Sequence, residues 1–238
     1  MKTTGLLLAL ALGISLSGCE WMPGRPKKED ERKAPREITD FNVLFNQNCR
    51  GCHGDGTNVS ATISLNDPLY LSIIPKERFR EVVANGVPHS GMPGFLISNG
   101  GELTPAQVDI LVEGIYKWAK NSAAPNSPAY SAPLGNATTG ATTYATYCAS
   151  CHGVDGKGVT GKAGALAEPN YLGLVTDQYL RTIVIAGRVD LGCPDYLSRV
   201  PGKPMSNQEI GDVVAWMAAQ RRTEFGQPLT TTPAVPQP

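Results

Sequence analysis

The sequence predicts an all-α protein made of two tandem copies of one small helical unit. Three observations predict it. First, the chain repeats itself: Leu65-Asn66-Asp67-Pro68-Leu69-Tyr70-Leu71 lies over Leu166-Ala167-Glu168-Pro169-Asn170-Tyr171-Leu172 at an offset of 101, and at that offset Arg80 meets Arg181 and Gly86 meets Gly187. Second, each copy ends in a segment with helix-start signals followed by apolar residues at helical spacing. Third, alternating strand patterns are scarce. At 238 residues, two small domains suit the length better than one large one.

The N-terminus reads as an export signal, residues 1–18. Lys2 gives a positive start, Leu6 to Leu16 is an apolar run too short to span a bilayer, and Leu16-Ser17-Gly18-Cys19 resembles a bacterial lipobox. That resemblance implies cleavage before Cys19 and lipidation of its thiol, which would anchor the chain to a bacterial membrane facing the periplasm. Residues 19–37 carry mixed charge with Pro23, Pro26 and Pro35, so they read as a flexible tether. Domain 1 is expected at 38–120, a linker rich in Ala, Ser, Asn and Pro at 121–135, domain 2 at 136–226, and a Thr- and Pro-rich disordered tail at 227–238. Lys+Arg and Asp+Glu both number 21. With no net charge and no basic stripe, nucleic acid is not an expected partner.

Within each domain the pattern predicts three helices. One runs into the motif described next, with Phe41, Leu44 and Phe45 in copy 1 and Tyr144 and Tyr147 in copy 2. A second covers about Lys76–Ala84 and Thr176–Ala186. The last begins at Thr104-Pro105, with Gln107 completing a capping box, and at Ser206, with Glu209 completing the other. Val108, Leu111, Val112 and Ile115, and then Ile210, Val213, Val214 and Met217, form their apolar stripes.

Five of the six cysteines have a ready explanation. Cys19 belongs to the lipobox, and Cys49-Arg-Gly-Cys52-His53 and Cys148-Ala-Ser-Cys151-His152 are two C-x-x-C-H motifs. That spacing is the attachment pattern of c-type haem: two thiols bond the two vinyl groups of one porphyrin, and the following imidazole ligates the iron. A zinc site would need further ligands, and the chain has three histidines in all. A thioredoxin-like dithiol would need a βαβ pattern, which is not visible. Two covalently bound haem c groups are therefore expected.

With these motifs between an opening and a closing helix, each copy resembles a class I cytochrome c over most of residues 38–226. In that family a methionine ahead of the last helix, in a Gly-Met-Pro-like stretch before an aromatic, is the second axial ligand. Gly91-Met92-Pro93-Gly94-Phe95 matches, which implies that Met92 ligates haem 1 opposite His53. The offset of 101 carries Met92 onto Cys193, in Gly192-Cys193-Pro194-Asp195-Tyr196. Copy 2 thus departs from the family at the ligand itself. Cys193 as thiolate is the preferred ligand of haem 2 opposite His152. Met205 is the alternative, although it sits directly before Ser206 as Leu103 sits before Thr104, where an apolar side chain staples the helix. A vacant or water-bound iron is the third option. His89, three residues before Met92, is expected near a haem edge.

The resemblance implies a membrane-anchored dihaem electron carrier, or the cytochrome subunit of a respiratory or photosynthetic electron-transport complex, whose partners are redox proteins or membrane-complex subunits. The alternative is a dihaem enzyme similar to thiosulfate dehydrogenases, using a His/Cys haem as its catalytic centre. Arg181, Arg188, Arg199 and Lys203 could hold an anion there, or serve as solvated charges or haem propionate partners.

Overall fold

A computed structural model describes residues 27, 32–57, 59–88, 90–118 and 127–221. The signal segment 1–18, Cys19, His89 and the tail 227–238 lie outside the described residues. The chain divides after Glu37. Before that point, Pro35–Glu37 make one 3-10 turn, in which the Ala34 N–H donates to the Glu37 carboxylate at 3.1 Å.

From Ile38 onward the described residues form ten α-helices and no named strand, five helices per repeat. Repeat 1 holds α1 (Phe41–Asn48), α2 (Arg50–His53), α3 (Pro68–Ile73), α4 (Lys76–Asn85) and α5 (Pro105–Trp118). Repeat 2 holds α6 (Ala137–Tyr147), α7 (Ala149–His152), α8 (Pro169–Gly173), α9 (Asp177–Ala186) and α10 (Asn207–Ala218). The all-α fold of two tandem units is the one the sequence predicts.

Local chemistry sets the helix starts. Asp40 caps α1 by accepting from the Val43 N–H, and Asn136 caps α6 by accepting from Thr138 and Thr139. Both capping boxes close: Thr104 with Gln107 before α5, and Ser206 with Glu209 before α10. Helices α3 and α8 were not anticipated, and they explain the repeated acid-Pro-x-Tyr. Asp67 and Glu168 are N-caps that accept from the Tyr70 and Tyr171 N–H groups, each at 2.7 Å, while Pro68 and Pro169 occupy the first helical position. Helix α9 begins one residue later than expected because Thr176 is its cap.

In each repeat the opening helix packs on the closing helix through one glycine. In repeat 1 it belongs to the closing helix: a Cβ on Gly114 would lie 2.1 Å from the Phe41 ring. In repeat 2 it belongs to the opening helix: a Cβ on Gly140 would lie 2.0 Å from the Asp212 carbonyl oxygen and 2.8 Å from the Trp216 Cβ. Phe41 aligns with Gly140, and Gly114 with Trp216. The bulky partner and the bare partner have changed places, so the close approach survives with the volumes exchanged.

Two apolar cores result. Leu44, Phe45, Phe79, Val108, Leu111 and Ile115 centre the first, and Tyr144, Leu172, Ile185, Ile210, Val213 and Met217 the second. They meet where Ala186 and Ile183 of α9 join the first core and Leu69 and Ile73 of α3 join the second. Polar contacts reinforce the seam. The Arg188 guanidinium donates to the Ser60 carbonyl at 2.6 Å and pairs with Asp190, whose carboxylate accepts from the Ser60 N–H at 3.3 Å.

The connector between repeats is held as well. Arg181, 3% exposed, donates to the Ala129 and Tyr130 carbonyls and to the Asn207 side chain. A buried guanidinium thus holds the described part of this Ala-, Ser-, Asn- and Pro-rich linker.

Candidate haem sites

Each C-x-x-C-H motif forms a one-turn helix that continues the opening helix after a break at its first cysteine. Cys49 caps α1 through its N–H to the Phe45 carbonyl, and Cys148 caps α6 through its N–H to the Tyr144 carbonyl. In both motifs the first cysteine is buried, the second is exposed, and both are free thiols. Burial pushes the Cys49 thiol up to about 12 and the Cys148 thiol up to about 11.

The two histidines are oriented alike. His53 Nδ1 lies 2.8 Å from the Ile63 carbonyl, and His152 Nδ1 lies 2.7 Å from the Gly164 carbonyl. Ile63 and Gly164 correspond at the offset of 101. A carbonyl on Nδ1 makes that nitrogen the donor and leaves Nε2 as the one to face a metal. Burial lowers the pKa of His53, which favours the neutral, ligating form. The His152 pKa is raised, first by its hydrogen bond to Cys193.

The stretch with Met92 and the stretch with Cys193 are placed by the same device. After α4 and α9 the chain turns at Gly86 (φ +73°) and Gly187 (φ +77°). A Cβ on Gly86 would meet Gly94 N, Pro93 C and Met92 O at 2.5–2.7 Å; on Gly187 it would meet Asp195 N, Pro194 C and Cys193 O at 2.7–2.8 Å. Only glycine allows both the positive φ and the contact. The Val87 N–H then donates to the Met92 carbonyl, and the Arg188 N–H to the Cys193 carbonyl, each at 2.9 Å. Met92 and Cys193 are thus structural equivalents.

Met205 lies elsewhere. It is 2% exposed in the second core, and its N–H donates to the Tyr196 carbonyl at 2.9 Å. Leu103, 4% exposed, sits the same way in repeat 1, with its N–H on the Phe95 carbonyl at 2.8 Å.

Cys193 is half-buried, and its thiol and the His152 imidazole influence one another's protonation. Burial pushes its thiol up, yet His152, Arg199 and the Arg188 backbone outweigh burial and hold it at about 7. Arg199 Nη1 lies 3.5 Å from Cys193 Sγ. The four cations grouped by sequence do not form one anion site. Arg181 holds the connector, Arg188 faces Ser60 and Asp190, Arg199 faces the thiol, and Lys203 lies over the Tyr147 ring at 5.2 Å. The sequence signal for Arg199 was present: the loop from Tyr196 to Met205 is one residue longer than Phe95 to Leu103 and contains two basic residues, Arg199 and Lys203, where the repeat 1 loop has none.

The donors fit a c-type haem in both repeats: paired free thiols on one helical turn, then an imidazole fixed at Nδ1. In repeat 2 the Cys193 thiol also shifts the protonation of that imidazole. The family model described as cytochrome c oxidase, cbb3-type, subunit III matches residues 36–113 and again 135–217. The chain belongs to that family. As in the tandem cytochrome c domains of this cbb3-type family, two covalently bound haem c groups are its cofactors and electron transfer is its chemistry. A thiosulfate dehydrogenase (TsdBA) from Marichromatium purpuratum, in its as-isolated form, is similar at 18% identity and a TM-score of 0.35, covering 92% of this chain and 52% of that one. The chain therefore spans about half the length of that structure. No curated protein matches the chain.

Proposed function

We propose that the protein is a membrane-anchored dihaem electron carrier, or the cytochrome subunit of a respiratory or photosynthetic complex, with two chemically different irons. Cys49 and Cys52 hold haem 1, with His53 and Met92 as its axial ligands. Cys148 and Cys151 hold haem 2, with His152 and Cys193. Bound haem supplies one-electron transfer, and the protein's part is to attach, orient and tune it. The carbonyls of Ile63 and Gly164 fix the imidazoles. The turns at Gly86 and Gly187 present the two sulfurs. A neutral thioether favours the reduced iron, whereas an anionic thiolate favours the oxidised one, so haem 2 has the lower potential. Lipid on Cys19 keeps the protein at a periplasm-facing membrane surface, where tethering raises its effective concentration near redox proteins or membrane-complex subunits. Among the described residues no helix is long and apolar enough to cross a membrane.

The observation that carries this reading is the atom-for-atom equivalence of Met92 and Cys193 against Gly86 and Gly187. Low-temperature paramagnetic resonance of the oxidised, haem-loaded protein tests it. A narrow low-spin thiolate signal is expected beside a wider His/Met signal, and Cys193→Met should abolish the narrow one while raising the haem 2 potential. Two His/Met signals in the unaltered protein would end the assignment. Thiosulfate-dependent reduction of an acceptor dye that Cys193→Ala abolishes would replace the carrier with the enzyme reading.

A further inference from the structure

Repeat 2 differs from repeat 1 by more than its sulfur. We infer that Arg199 is a positioning residue that holds the Cys193 thiolate and raises the potential of haem 2 above what a bare thiolate would give. This rests on Cys193 being the ligand, and it deepens that assignment.

Arg199 Nη1 approaches Cys193 Sγ at 3.5 Å, within the range of a hydrogen bond to sulfur. Its other terminal nitrogen donates to the Val184 carbonyl at 3.1 Å and more weakly to the Ile183 carbonyl at 3.4 Å. Both oxygens belong to the last turn of α9, the negative end of a helix dipole, which favours a cation. The guanidinium is therefore anchored by groups other than the sulfur it faces.

Its charge is also available. Arg188, the neighbouring guanidinium, is neutralised by Asp190. The hydrogen-bond partners of Arg199 are instead one sulfur and two carbonyl oxygens. The corresponding loop of repeat 1, Leu96 to Glu102, contains no Lys or Arg. A neutral thioether needs no counter-charge, and the cation occurs only where the sulfur can be anionic.

The sign follows from charge. With a thiolate ligand the site gains negative charge when its iron accepts an electron, so a nearby cation stabilises the reduced form. Groups that hydrogen bond to a ligating sulfur tune potentials in this direction. The effect is local, because Arg199 touches repeat 2 and not the Met92 loop.

The test is a mediated redox titration of the two-haem protein, with each haem followed by its own optical and paramagnetic signals. R199Q should shift the reduction equilibrium of haem 2 at least tenfold toward the oxidised form, which is about 59 mV for one electron. Haem 1 should stay unchanged. R199K, which keeps the charge, should titrate within about threefold of the parent protein, a window set by the same conversion. An R199Q protein that keeps its thiolate signal and an unshifted haem 2 overturns the inference, as does an R199K shift equal to that of R199Q. If R199Q does not retain two haems, R199K alone decides: parent-like titration supports the charge role and a tenfold shift overturns it. Failure of the underlying assignment looks different, because the unaltered protein would then show no thiolate signal at all.

Discussion

The two repeats share a scaffold and diverge at single positions. Conserved between them are the acid-Pro cap, the carbonyl behind the histidine, and the glycine turn pressed against the sulfur-bearing loop. What differs is what the scaffold carries: thioether against thiol, no cation against Arg199, and Phe41 over Gly114 against Gly140 under Trp216. Backbone geometry constrains a residue to glycine wherever its φ is positive and another backbone lies against it. Side-chain chemistry is free to change wherever only a volume or a donor is required.

The comparison can be broken most forcefully at Arg80 and Arg181, which align. Arg181 is buried on three acceptors, so Arg181→Met should destabilise repeat 2 by about 3 kcal/mol in thermal or denaturant unfolding, since its charge-assisted hydrogen bonds are lost and three part-buried acceptors are left without their donor. The exchanged knob sharpens the next point. Gly140→Ala forces a Cβ into the Asp212 backbone and should cost about 2 kcal/mol by overpacking; pairing it with Trp216→Gly should not relieve this, because the nearest obstacle is a carbonyl oxygen. In repeat 1 the three atoms nearest a Cβ on Gly114 all belong to the Phe41 ring, so Gly114→Ala should be rescued substantially by Phe41→Gly.

The seam between repeats gives a pH test. The Arg188 hydrogen bond, the largest stabilising influence, holds Asp190 well below the usual carboxylate range, at about 2. A depressed folded-state pKa contributes stability that is present above pH 3.8 and lost as pH falls toward 2, roughly 2 kcal/mol for a shift of this size. Denaturation midpoints followed from pH 6 to pH 2 should fall less steeply in Asp190→Asn than in the parent. The smallest effect returns to the first pair. Arg80 meets Asp109 at 2.6 Å, but the two side chains are 41% and 54% exposed. Arg80→Ala should therefore leave the denaturation midpoint nearly unchanged.

Much of this was legible in the sequence. Helix α10 announced itself through Ser206, Glu209 and a four-residue apolar stripe, and the haem motifs through cysteine spacing. The repeat offset alone laid Cys193 over Met92. Other features were hidden for identifiable reasons. Helices α3 and α8 are five or six residues long, too short for a periodicity to show. Aligned arginines look identical until burial separates them. Arg199 was visible as one of four cations near the second motif, but sequence could not tell which of the four faces the thiol.

Arg188 has a consequence beyond the seam it seals. Its backbone forms a two-way pair with Cys193, donating to its carbonyl and accepting from its N–H, each at 2.9 Å, while its side chain grips the Ser60 carbonyl of the other repeat. Moving the Cys193 backbone would have to break that pair or drag Ser60 of the other repeat with it. The loop is braced from both ends, so the second centre should cycle its electron with little structural rearrangement.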